Sequence, residues 1–166
     1  MQVPPDKISL DHYNGTISLF SPSLPTVNDP QLRRLPGHIT LLTPEEYKAI
    51  GRPTIATIAS FIDMSHIYLV GQGQSRDGQV TWECVVWNDA NRWRLIKGLE
   101  KKQFHVTTSP RDDHSLLKGI DSAEKNMGLG DLVDYLEYLS LEGLDEVCRS
   151  CGDYSEPLVS LCKGKS

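Results

Sequence analysis

Short β-branched and apolar runs alternate with polar, turn-forming clusters over residues 1–118, and runs of four to eight such residues bounded by glycine, proline and asparagine predict strands. Residues 16–20 (Thr-Ile-Ser-Leu-Phe) follow Asn14-Gly15, a hairpin dipeptide, and are the one strand expected within the first 36 residues. Prolines at 22, 25, 30 and 36 predict a loop after it. Residues 38–42 (His-Ile-Thr-Leu-Leu) predict the next strand. Thr43-Pro44-Glu45-Glu46 has the form of a capping box with proline at the first helical position, which predicts a helix through about Ile50. Gly51-Arg52-Pro53 ends that helix, and residues 54–62 fit a short helix and an extended segment equally well.

The runs 67–73 and 80–87 predict two antiparallel strands joined at Ser75-Arg76-Asp77-Gly78, and Gly71-Gln72-Gly73 suits a bulge or strand end better than a phosphate loop. A helix is expected from 90 to about 99, capped by Asn88 or Asp89, with Trp93, Ile96 and Leu99 on one face and Arg92, Arg94 and Lys97 elsewhere. Residues 104–108 predict another strand. Beyond Pro110 the apolar period lengthens to that of helices: Leu132, Val133, Leu136 and Leu139, then Leu144, Val147, Cys148 and Cys151, then Leu158, Leu161 and Cys162. Interruptions at Gly143, Gly152 and Pro157 favour ordinary helix packing over a coiled coil, leaving a protein partner on these helices as the minority reading. The expectation is an α+β body at 1–118, in which a strand-helix pattern occurs twice, and an acidic helical extension at 119–166.

Composition limits what such a body does. The chain has 166 residues with 39% hydrophobic and 23% charged side chains, which suits one domain, or one domain with an appendage. There is no apolar run of about 18 residues and no secretory leader at the start, so an intracellular protein, cytoplasmic or nuclear, is expected. The net charge is −5, the wrong sign for coating long nucleic acids. Residues 1–118 carry 13 basic and 12 acidic side chains, against 4 and 10 in the tail, so a site for one nucleotide or RNA end belongs in the body. Cysteines at 84, 148, 151 and 162 are too few for a disulfide framework and suggest a reducing compartment. The Cys148-Arg149-Ser150-Cys151 spacing is that of a metal knuckle or redox pair, but no second pair completes a zinc site, and structural thiols are the favoured reading.

Two of the five histidines share a local pattern: His38-Ile39-Thr40 and His105-Val106-Thr107, 67 positions apart, each inside an apolar β-branched run. On a strand, imidazole and hydroxyl of each triplet project together while Ile39 or Val106 packs the opposite face. Two such units facing one pocket suit phosphodiester chemistry without a metal or cofactor. One neutral histidine takes a proton, the other delivers one to the leaving oxygen, and the threonine hydroxyls hydrogen-bond non-bridging phosphate oxygens. The competing reading is two half-buried strand histidines satisfied by neighbouring hydroxyls.

The paired triplets resemble the signature of the 2H phosphoesterase superfamily, and the segments Thr43-Pro44-Glu45-Glu46 and Thr107-Thr108-Ser109-Pro110 resemble its RNA-repair-associated branch called Swiss Army Knife; the similarity covers roughly residues 10 to 118. It implies a bilobed α+β fold in which two antiparallel sheets line a central cleft, and a metal-independent phosphodiesterase acting on 2′,3′-cyclic phosphates or related nucleotide and RNA-end phosphodiesters. His38 and His105 are then the catalytic pair, with His105 as base and His38 as acid or the reverse, and Thr40 and Thr107 the phosphate-binding hydroxyls. The acidic tail departs from the commoner family pattern and favours a small or terminal substrate over long duplex nucleic acid. The alternative is a catalytically silent module that retains a nucleotide or RNA end, or docks a protein through its tail.

Other residues admit two readings each. Tyr13, Phe20 and Trp87 suit base stacking or core packing. Arg111 suits a phosphate contact, or an ion pair with Asp112 or Asp113. His12, His66 and His114 lack the spacing of a metal site and read as surface or structural groups.

Overall fold

The computed structural model describes residues 2–28, 34–35 and 37–118; the helical pattern and three of the cysteines expected at 119–166 lie outside the described residues. Asn14 and Gly15 take φ angles of 49° and 79°, the two positive values of a tight I′ hairpin turn. They join β1 (Ser9–Tyr13) to β2 (Thr16–Phe20). β1 corrects the expectation of one strand before residue 36. It is an edge strand with three exposed and two half-buried residues, so it lacks the apolar alternation by which a strand is recognised. The proline-rich segment expected to be all loop also holds a two-residue ladder between β3 (Val27–Asn28) and β4 (Arg34–Leu35).

β5 (His38–Leu42) completes the first sheet, antiparallel and in the order β1-β2-β5. The capping box forms as expected. The Thr43 hydroxyl accepts from the Glu46 amide at 3.2 Å, and Glu46 Oε1 accepts from the Thr43 amide at 3.0 Å, starting α1 (Pro44–Ala49). The ambiguous segment is α2 (Ile55–Phe61), whose Thr54 cap accepts from the Thr57 amide and whose Ile58 is fully buried.

The second sheet is β6 (Tyr68–Gln74), β7 (Thr81–Val86) and β8 (His105–Thr107), antiparallel and in that order. The register shifts between Leu69 and Gly71, where Gly71 has a φ of 144°. Gly71-Gln72-Gly73 is therefore a bulge in a strand, as expected. β7 leads into α3 (Asn88–Ile96), which differs from the sequence reading in two ways. Its N-cap position is Trp87, with no side-chain cap bond, because the Asp89 carboxylate accepts instead from the Asp63 amide. Its buried face is Ala90, Trp93 and Arg94, while Ile96 is 80% exposed.

Arg94 sits inside because every part of its guanidinium has an acceptor. Nη1 donates to the Leu41 carbonyl at 2.7 Å and to Glu46 Oε1 at 3.1 Å, Nε donates to the Glu100 carbonyl at 3.0 Å, and Nη2 pairs with Glu46 Oε2. A buried charge is tolerated when it is paired and hydrogen-bonded. Around it, Ile17, Leu19, Ile39 and Leu41 from the first sheet and Leu69, Val85 and Val106 from the second belong to one hydrophobic cluster, joined by Ile58, Trp87, Trp93 and Phe104. The two sheets thus share a core, and β5 and β8, an edge strand of each, pack next to one another.

Candidate active site

Each histidine triplet lies on one of these neighbouring edge strands. In β5, Ile39 is fully buried while His38 and Thr40 are half-buried; in β8, Val106 is fully buried while His105 and Thr107 are half-buried. Strand alternation therefore anchors each triplet by its central residue and leaves the polar pair on the other face. The register pairs His38 with Phe20 and Thr40 with Ser18 in the first sheet, and His105 with Cys84 and Thr107 with Trp82 in the second.

All four side chains line one cavity of about 450 Å³, which Tyr13, Thr43, Glu45, Lys102, Asp112 and His114 also line. The Tyr13 ring lies 4.6 Å from the His38 imidazole between centroids, tilted by 49°, and the Phe20 ring lies 5.8 Å from it. Two aromatic neighbours restrict the rotation of His38 on its strand.

His105 is held differently. Its Nδ1 is 2.9 Å from the Gln103 carbonyl. A carbonyl only accepts, so Nδ1 carries the proton and Nε2 keeps the free lone pair in the neutral ring. Burial disfavours the imidazolium and moves the pKa below the usual imidazole value, against the opposing effect of the Gln103 carbonyl.

The Thr107 hydroxyl donates to Asp112 Oδ2 at 3.2 Å. Asp112 in turn meets the Lys118 ammonium at 3.1 Å, and His114 Nδ1 lies 3.5 Å away. Burial alone raises the Asp112 carboxyl, but the hydrogen bond and charge of Lys118 more than offset it, so the group titrates below its ordinary value. Thr108 and Ser109 turn away from the cavity and fasten β8 to β7, with the Thr108 amide on the Thr81 carbonyl at 2.9 Å and the Thr81 amide on Ser109 Oγ at 3.0 Å.

Several residues outside the paired triplets change standing. Trp87 is 1% exposed and packs on Phe104 with ring centroids 5.4 Å apart, so it belongs to the core. Phe20 lines a second cavity beside Lys7, whereas Tyr13 lines the first. Arg111 is exposed and is not among the residues lining the cavity, and Asp112 pairs with Lys118 rather than with it. His114 reaches the cavity, unlike His12, whose ring meets Tyr47, and His66, which lies 3.9 Å from Asp63. Among the described residues no group of His, Cys, Asp and Glu is arranged to hold a metal ion. Sequence reasoning missed Lys102 and Asp112. Asp112 stands five positions beyond Thr107, close enough to be suspected, whereas nothing in the pattern around Lys102 sets it apart from Lys101.

Residues 10–114 match the family profile of the 2H phosphoesterase domain. The chain belongs to the 2H phosphoesterases and is a hydrolase of the phosphoesterase kind. The matching profile is that of the group described as Swiss Army Knife. No curated protein and no solved structure is significantly similar to the chain.

Proposed function

We propose that this protein is a phosphodiesterase that opens a 2′,3′-cyclic phosphate, on a nucleotide or at an RNA end, to a monoester, with His38 and His105 as its acid and base. The observation that carries the reading is the convergence of both His-x-Thr pairs on one cavity. His105 is the base, because its free Nε2 and depressed pKa keep a lone pair available at neutral pH. Water gives a proton to His105 Nε2 as its oxygen bonds to phosphorus. The bond from phosphorus to one ribose oxygen breaks, and protonated His38 delivers its proton to that oxygen. Thr40 and Thr107 donate to the non-bridging oxygens, Thr107 by rotating its hydroxyl away from Asp112. The two three-stranded sheets act as the two lobes of the site. A metal has no step in this scheme, and an intracellular setting supplies such RNA ends.

The test is hydrolysis of a 2′,3′-cyclic nucleotide by the full chain with excess chelator. His38→Ala and His105→Ala are each expected to reduce turnover by about 10²–10⁴ with an unchanged melting temperature, and Thr40→Ala and Thr107→Ala by about 10²–10³. Binding of the cyclic nucleotide without hydrolysis by the unmodified chain refutes the enzymatic reading in favour of a silent binding module. Loss of folding in the histidine variants points instead to a structural role.

A further inference from the structure

Of three basic side chains near the cavity, Arg94 and Lys118 are buried and saturated, and Lys102 is half-buried. Arg94 has the four acceptor contacts given above. Lys118 is 3% exposed, and its ammonium meets Asp112 at 3.1 Å and the Asp113 carbonyl at 2.8 Å while lying 5.7 Å from the centre of the Trp82 ring. The third, Lys102, has no hydrogen bond or ion pair to its ammonium from any described residue. The carboxylate that attracts it most is Glu46, which is already engaged by Arg94 and by the Thr43 amide.

Lys102 is half-buried and its ammonium keeps contact with water, so an anion entering the cavity can reach it without displacing a protein acceptor. The backbone of Lys102 is fixed. Asn91 on α3 grips it from both sides, its Oδ1 accepting from the Lys102 amide at 2.8 Å and its Nδ2 donating to the Lys102 carbonyl at 3.2 Å. A clamped residue thus presents an unneutralised cation to the cavity that both His-x-Thr pairs line.

We propose that Lys102 is a substrate-binding residue whose ammonium neutralises a non-bridging oxygen of the phosphate. The proposal uses the phosphodiester reading above only to name the anion. Lys102 supplies a charge that Thr40 and Thr107 lack, and Asn91 is the positioning residue that holds it there. Burial also lowers the Lys102 pKa, and a bound anion reverses that shift by favouring the charged form.

The test compares the full chain with Lys102→Gln and Lys102→Arg in two assays: hydrolysis of a 2′,3′-cyclic nucleotide, and calorimetric binding of inorganic sulfate, whose own charge stays constant through the alkaline range. Lys102→Gln is expected to weaken sulfate binding and to lower kcat/KM by about 10- to 100-fold, the value of one charge-assisted hydrogen bond, with no fall in melting temperature. Lys102→Arg restores most of both. Sulfate affinity of the unmodified chain falls at a pH below the ordinary lysine range, and that fall disappears in Lys102→Arg. Sulfate affinity and kcat/KM of Lys102→Gln within about twofold of the unmodified values overturn the proposal. If Lys102→Gln does not fold, an unmodified alkaline fall in Lys102→Arg overturns it equally. A chain that hydrolyses no cyclic phosphate yet loses sulfate affinity on Lys102→Gln keeps the lysine contact and refutes the phosphodiesterase reading.

Discussion

The protonation state of His105 is set by its surroundings before any substrate arrives. Burial penalises the imidazolium, and the Gln103 carbonyl fixes the tautomer. In the unfolded chain the ring titrates near its ordinary value of about 6.5; in the fold it takes up its proton at lower pH. As pH falls through the ordinary value toward the folded one, the unfolded state binds more protons than the folded state, so this residue's contribution to stability is lost over that window and is present above it. The acidic limb of kcat/KM is accordingly expected below the ordinary imidazole value; a limb at or above it, measured in a pH-rate series, removes His105 from the base role. Asp112 offers a second residue-scale check. Its carboxylate neutralises Lys118, whose ammonium is otherwise buried, so Asp112→Ala is expected to lower unfolding free energy by about 3–5 kcal/mol, measured by urea denaturation. A loss under about 1 kcal/mol shows that Lys118 finds another acceptor. The two triplets were legible because alternation on a strand is a property of adjacent residues. Lys102 and Asp112 were not, because what marks them is the presence or absence of an acceptor that only the folded chain brings near.

At the scale of elements, the capping box at Thr43 was readable from four consecutive residues, and its second use was not. Glu46 closes the box and also receives two contacts from Arg94, 48 positions away. The burial of Arg94 contradicts the amphipathic reading of α3, in which arginine faces out and Ile96 in. A hydrophobic pattern scores the side chain alone, whereas here the Glu46 carboxylate and two main-chain carbonyls compensate the charge, and the burial follows the Ala90-Trp93-Arg94 face. An ordering of stabilities follows. Thr43→Ala removes one cap bond and is expected to cost about 1 kcal/mol. Glu46→Ala removes the reciprocal bond and strands a guanidinium that is 2% exposed, at about 3–5 kcal/mol. Equal losses for the two variants in denaturant titrations contradict the assignment of Glu46 as the partner of Arg94. β1 shows a different kind of illegibility. Its pairing is dictated by the Asn14-Gly15 turn and by β2, so its own residues need carry no apolar face.

For the molecule as a whole, the site requires two strands of different sheets to stay in register across a cavity, and the packing provides for that within the body. One hydrophobic cluster runs through both sheets. Arg94 bonds the Leu41 carbonyl on β5 and the Glu100 carbonyl shortly before β8, tying the two histidine strands to one helix. The cavity-lining residues fall between Tyr13 and His114, and the family match ends at residue 114. A chain ending at Lys118 is therefore expected to fold and to keep its turnover number within a few-fold. Removing residues 119–166 takes away 4 basic and 10 acidic side chains, which moves the net charge from −5 to +1. The substrate is an anion, so the shortened chain is expected to show a lower KM at low ionic strength, and the difference is expected to fade toward about 0.15 M salt, where the screening length is about 8 Å. Matched kinetic series of the two chains across salt concentrations read this directly. A shortened chain that folds but loses its turnover number assigns the tail a catalytic part, and an unchanged KM at low salt shows that the tail's charges lie beyond electrostatic reach of the cavity.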